Sequence, residues 1–299
     1  SILFFNDQVA VRGGLVISDL VSYNDNISPL KYYFLNSWTI VTQISALFLK
    51  IGFSVKITSL ILVFVLTFIM MLSSFLILKK FTGDKTLSLI TTIFLIFFQK
   101  NLGDTDYPSL MFTIHTFGAY AQALTGILIA SLLYKNYNLT FFTSILLVSI
   151  HPIIGLWLFA SLIMSVLFLK ETAIIRESTK GISIGIIFTL ISLMLFFYFS
   201  IDKTTFDQNL FDIYLSEWDG HRAKTGEIHY EYIIKTLLFF SLTNLFLFNK
   251  KKYNLFLTFL NLIILTSLII YFVFKFSHFG NFGILSTIIP GRFMITYTF

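Results

Sequence analysis

Carboxylate, imidazole and guanidinium groups are scarce in this chain, and most of them fall in a few polar stretches. In SDLVSYNDNISPLKYYFLNSW, residues 18–38, Asp19 and Asp25 stand six apart ahead of Pro29. Carboxylates on a loop held just above lipid have the chemistry of a general base or a divalent-metal ligand. A second stretch, NLGDTDYPS, places Asp104 and Asp106 two apart with Thr105 between them, a weak signal for a shared cation. If the two loops meet, the four acids form a cup suited to Mg2+ or Mn2+ and the phosphates behind it.

The densest stretch is DKTTFDQNLFDIYLSEWDGHRAKTGEIHYEY, where Glu217, Trp218, Asp219, His221 and Arg222 fall within six residues. Arg222 has the fork to clamp a phosphate, and Trp218 the face to stack on a sugar. His221 and His229 are eight apart, which is no standard zinc spacing. His115 and Gln122, seven apart in one apolar segment, share a helical face with Gly118 and Gly126. His151 precedes Pro152, and His278 stands among phenylalanines. These last four are candidate substrate contacts, since buried polar groups in lipid must face protein or water. Each candidate also has a plain reading: solvated loop acid, helix cap, packing contact or interfacial anchor.

The elements that position these groups follow from composition. Of 299 residues 56% are hydrophobic and 12% charged, against about 25% charged in an ordinary soluble domain. Thirty-seven phenylalanines recur in long blocks almost free of charge, more than a soluble interior of this size hides. The expected class is all-α, a polytopic transmembrane bundle forming a single domain over 1–299, with membrane lipid as a partner. Without cysteine there is no disulfide or thiolate site. The scattered net charge of +6 speaks for anchored loops and against nucleic acid. The apolar scrap ILFF at the start and PGRFMITYTF at the end read as parts of further segments, so the chain is expected to be incomplete at both ends.

Spans of the length a 30 Å hydrocarbon layer requires are expected at Ile57–Leu78, Phe112–Tyr134, Gly181–Ile201, Tyr232–Phe248 and Tyr253–Phe276. Thr86–Phe98 is short for a crossing. Leu139–Leu169 is too long for one, and His151-Pro152 near its middle predicts two short helices meeting at the proline. That broken pair brings Lys79–Lys85, Lys135–Asn138, Lys170–Lys180 and Lys250–Lys252 to one side. They hold ten basic residues in 25 positions, and the positive-inside rule makes that side cytoplasmic. The longer polar stretches, beginning with Arg12 to about Lys56, then lie on the outer or lumenal side. Tyr33–Ile51 is less apolar, with Phe34, Trp38, Val41, Ser45 and Phe48 at helical spacing, and reads as an interfacial amphipathic helix. A short ordinary span is the alternative. Of the sequons Asn26-Ile-Ser28 and Asn138-Leu-Thr140, only the first falls on the outer side.

The order of acidic loop, Ser28-Pro29-Leu30-Lys31-Tyr32-Tyr33, polar helix and Gly52-Phe53 resembles the GT-C superfamily of polytopic membrane glycosyltransferases. In that family an outer acidic residue precedes a proline-aromatic stretch often written H-P-P-L-Y-Y. The resemblance covers about residues 15–60. Ser18-Asp19 and Asn24-Asp25 replace the paired acids, and Ile27 stands where the family has histidine. It implies a polyprenyl-phosphate-linked sugar donor, with Asp19 or Asp25 deprotonating or orienting the acceptor while basic groups hold the lipid phosphate. Sequence motifs for phosphate loops, dinucleotide loops, HExxH or GxSxG are absent. The competing classes are a transporter or flippase with His115, Gln122 and His151 along a midplane path, and a noncatalytic assembly subunit.

Overall fold

The computed structural model describes residues 7–21, 34–98, 117–199, 230–247 and 250–276. They form an all-α bundle, with no strand among the described residues. The helices are α1 (Asp7–Ile17), α2 (Ile40–Ile51), α3 (Val55–Thr82), α4 (Lys85–Phe98), α5 (Phe117–Leu133), α6 (Tyr137–Ile150), α7 (Pro152–Phe168), α8 (Ala173–Glu177), α9 (Thr179–Tyr198), α10 (Tyr230–Leu247) and α11 (Asn254–Phe276). A 3-10 turn at Lys251–Tyr253 leads into α11. Among the described residues, three helical stretches, Val55–Thr82, Thr179–Tyr198 and Lys251–Val273, are long and apolar enough to cross a membrane. Residues 12–17, expected within the first outer loop, are instead the end of α1.

Local chemistry sets the boundaries. Ser54 Oγ accepts from Ile57 N–H at 3.3 Å and opens α3, and Gly83, at φ 73°, closes it. Asp84 Oδ1 accepts from the N–H groups of Thr86 at 2.7 Å and Leu87 at 3.1 Å, starting α4. Asn136 Oδ1 does the same for α6, accepting from Leu139 N–H at 3.2 Å. These side chains satisfy first-turn donors that the helix itself leaves unpaired. At His151 the backbone is extended, ending α6 and starting α7 with Pro152 in its first turn, where a missing N–H costs nothing.

The main core is built from α5, α6, α7 and α11, where Leu128, Phe141, Leu147, Leu162, Phe259 and Ile263 are wholly buried. Leu66 and Met70 of α3 meet Ala119 and Ala123 of α5 in a smaller cluster. The outward faces are apolar as well: Phe64 and Phe68 on α3, Ile187 and Met194 on α9, and Leu245 and Phe246 on α10 are exposed. A molecule whose interior and exterior are both apolar has lipid as its solvent. The fold is therefore that of an integral, multi-pass membrane protein.

Side-chain contacts fix helix directions. Tyr120 Oη donates to the Leu62 carbonyl and Tyr134 Oη to that of Leu76, the same sequence offset of 58, so α3 and α5 run parallel. The Gly181 N–H donates to Asn138 Oδ1 at 3.0 Å and Thr189 Oγ1 to the Ile145 carbonyl at 3.3 Å, offsets of 43 and 44, so α6 and α9 are parallel too. This pair touches backbone to backbone. A Cβ on Gly181 would sit on the Asn138 carbonyl, and one on Gly185 would press on Ile145 at 3.0 Å. Small residues four apart allow such closeness in apolar surroundings.

Candidate functional site

The four lysine-bearing connections gather at one end of the bundle. Lys80 Nζ lies 4.6 Å from the Tyr134 ring centroid, joining the ends of α3 and α5. The Phe81 and Tyr253 rings, 6.5 Å apart, bring in the Lys250–Lys252 turn. Asn138 and Gly181 join the start of α6 to that of α9. This end holds ten basic side chains against Asp84, Glu171 and Glu177, whereas the rest of the chain has eleven basic and twelve acidic ones.

The other end is organised by α2. Ser192 Oγ donates to Gln43 Oε1 at 3.1 Å and accepts from Trp38 Nε1 at 3.0 Å. Seven residues on, Lys50 Nζ lies 5.4 Å from the Tyr198 ring and 4.9 Å from the Phe199 ring. The constant offset makes α2 parallel to the last turns of α9. Thr39, the residue that opens α2, and Gln43, in its first turn, are both buried. Thr42, Ser45 and Ala46 meet α1, where a Cβ on Gly13 or Gly14 would collide with them. Thr39, Thr42, Gln43 and Ser45 are thus buried among the helices, while Asn36 and Lys50 are exposed. Five buried polar atoms of this region have no hydrogen-bond partner among the described residues: Thr39 Oγ1, Gln43 Nε2, Ser45 Oγ, Thr58 Oγ1 and Ser59 Oγ.

Asp19 belongs to this end because it follows Gly14, which rests on α2, by five residues, about 8 Å of helix rise. Its carboxylate is exposed and its backbone left-handed at φ 59°. The preceding residue caps the turn, Ser18 N–H donating to the Gly14 carbonyl at 3.0 Å and Ser18 Oγ to that of Leu15 at 3.2 Å. Two local preferences are broken here. Glycine or asparagine suits this conformation better, and a carboxylate at a helix C-terminus meets the negative end of the macrodipole.

His151 is level with Met194 and Leu195 by the α6–α9 register, hence at the same end. It is buried, and its Nδ1 accepts from Ile154 N–H at 3.4 Å, which makes it the cap of α7. Gln122 is buried on α5. Asp25, Asp104, Asp106, His115, Trp218, His221, Arg222 and His278 lie outside the described residues. Among the described residues no group of three or more His, Asp or Glu could hold a metal ion.

Gly181-x-x-x-Gly185 carries a close-packing pattern in its spacing, whereas the interhelical polar contacts carry no such signal. Asn244 and Asn261, lone amides in apolar spans, bond each other reciprocally at 2.9 and 3.0 Å between α10 and α11. Trp157 Nε1 donates to Thr266 Oγ1 at 2.8 Å, tying α7 to α11. Nothing in residue type or spacing links Ser192 to Trp38 and Gln43, which lie 154 and 149 residues before it. Compared with protein-family models, with curated proteins and with solved structures, the chain matches none.

Proposed function

We propose that this integral membrane protein is a glycosyltransferase of the GT-C kind, moving a sugar from a polyprenyl-phosphate donor at the end of the bundle opposite the lysine-rich connections. That lysine-rich end faces the cytoplasm, in keeping with the positive-inside rule, and the reacting end faces outward or into a lumen. Asp19, with Asp25 beyond it, acts on the acceptor hydroxyl as general base. Arg222, Trp218, His221 and His278 hold the donor, and His115, Gln122 and His151 shape the wall beside it. Asp104 and Asp106 are the candidates for Mg2+ or Mn2+, which when bound would neutralise charge on the leaving phosphate.

The observation that carries the reading is Asp19 itself. An exposed carboxylate in a left-handed position at a helix C-terminus costs stability locally, and such departures concentrate at working sites. Against transport stands the use made of the His151-Pro152 corner. The imidazole there caps α7, and Gly155 is pressed on the backbone of Val148, so the two short helices close on each other.

The test is transfer by the reconstituted full chain, with a synthetic short polyprenyl-phosphate sugar and acceptors of several chemistries. Asp19→Asn is expected to lower transfer about a hundredfold or more while leaving insertion and helix content unchanged. Full transfer retained in both Asp19→Asn and Asp25→Asn would remove these carboxylates from the chemistry, and no transfer by the wild type with any donor or acceptor would leave the assembly-subunit reading in its place.

A further inference from the structure

The lysine-rich end divides into two unlike sectors. Around the α7–α9 connection, Lys170, Arg176 and Lys180 are interspersed with Glu171 and Glu177, so charge is largely balanced within the connection. Around the ends of α3, α5 and α11 there is no such balance. Lys79, Lys80, Lys85, Lys135 and the Lys250–Lys252 triplet gather about a single carboxylate, Asp84. That carboxylate is committed to capping α4.

The sector is also braced by aromatic rings. Lys79 Nζ is 6.0 Å from the Phe75 ring, Lys80 Nζ 4.6 Å from Tyr134, and Lys252 Nζ 4.9 Å from Tyr253. Lys79 and Lys80 are half-buried, while Lys135, at φ 59°, is exposed directly after Tyr134. Lysines that lay their stems on apolar surface and lift the ammonium to its edge sit at the depth of lipid headgroups. The lipid-facing Phe64, Phe68 and Leu72 of α3 lead straight down to them. The helix ends add to the match, because cations are favoured beside the exposed carbonyls of α3 and α5.

We propose that the sector formed by the ends of α3 and α5 and the Lys250–Lys252 turn is a binding surface for the phosphodiester headgroup of an anionic phospholipid, with Lys79, Lys80 and Lys135 as its centre. The unbalanced positive charge matches an anionic leaflet, and the rings occupy the interfacial position aromatic side chains favour. A polynucleotide or an acidic protein would find the same charge, but neither would reach half-buried lysines at the boundary of the hydrocarbon. The inference requires the chain to span a membrane and is independent of any transfer chemistry.

The experiment places the full chain in nanodiscs with equal phosphatidylglycerol and phosphatidylcholine and counts the lipids retained on gentle release by native mass spectrometry. The wild type is expected to retain phosphatidylglycerol several-fold over phosphatidylcholine, and K79Q/K80Q/K135Q to lose that preference. K170Q/K180Q, in the balanced sector, is expected to keep it. Should the triple variant insert poorly, K135Q alone is expected to weaken the preference and added salt to weaken it in the wild type. Equal retention of the two lipids, an unchanged preference in the central variants, or equal loss in K170Q/K180Q would overturn the assignment. So would displacement of the lipid by dilute inorganic phosphate, RNA or polyglutamate.

Discussion

The two halves of α9 hold their neighbours by different means. Its first half meets α6 through Gly181 and Gly185, with backbone against backbone and one hydrogen bond donated by the Gly181 N–H to Asn138 Oδ1. Its last turns meet α2 through Ser192, whose hydroxyl links Trp38 to Gln43 across the interface. Dispersion between close surfaces secures the first contact, whatever solvent surrounds it. The second depends on complete pairing of buried polar atoms, and Gln43 Nε2 and Thr39 Oγ1 are left without partners among the described residues. A bundle that seals its lysine-rich end by shape and leaves unsatisfied polar atoms at the other has concentrated its adaptability at the latter.

That contrast can be broken experimentally. Gly181→Leu should be the most damaging substitution, costing about 3 kcal/mol or more because the Asn138 carbonyl cannot recede without separating α6 from α9. Unfolding in detergent, followed by circular dichroism, would show it as reduced resistance, and wild-type behaviour would refute the close contact. Ser192→Ala should cost about 1–2 kcal/mol by stranding the Trp38 indole and the Gln43 amide oxygen. In a double-mutant cycle with Gln43→Leu the two costs should fail to add, and full additivity would mean the residues do not interact. Asn244→Leu should cost about 0.6–1.7 kcal/mol, the range of interhelical hydrogen bonds in lipid, with Asn261→Leu adding little to it. Last, Asp19→Gly should stabilise the protein by about 0.5–1 kcal/mol, since glycine relieves both the left-handed strain and the misplaced charge. If it destabilises instead, Asp19 is structural, and the case for it as a base falls.

Much of the bundle was readable because lipid imposes long charge-free runs that polar punctuation ends. Ile57–Leu78 lies within Val55–Thr82, and Gly181–Ile201 overlaps Thr179–Tyr198, with boundaries displaced by caps such as Ser54 and Gly83. The course of α2 was harder to read. Its helical spacing was legible, but the packing of Thr42, Gln43 and Ser45 against α1 and α9 was not, because in lipid the polar side of a helix seeks protein that one-dimensional spacing does not name. Of the candidate site, Asp19, Gln122 and His151 fall on described residues, and His151 has an ordinary capping duty that its place before proline already allowed. Which distant residues converge is set by helix register, and register is carried by pairs such as Gln43 with Ser192 that no local pattern announces.

The parallel run of α2 and α9 has an electrostatic consequence. Helices aligned in the same sense bring their carboxyl-terminal ends, each equivalent to about half a negative charge, side by side and in mutual repulsion. Lys50 stands in the final turn of α2 with its ammonium over the rings that close α9, so one cation serves both ends. Reversing that single charge would set three negative centres together, and α2 would have reason to part from its neighbour.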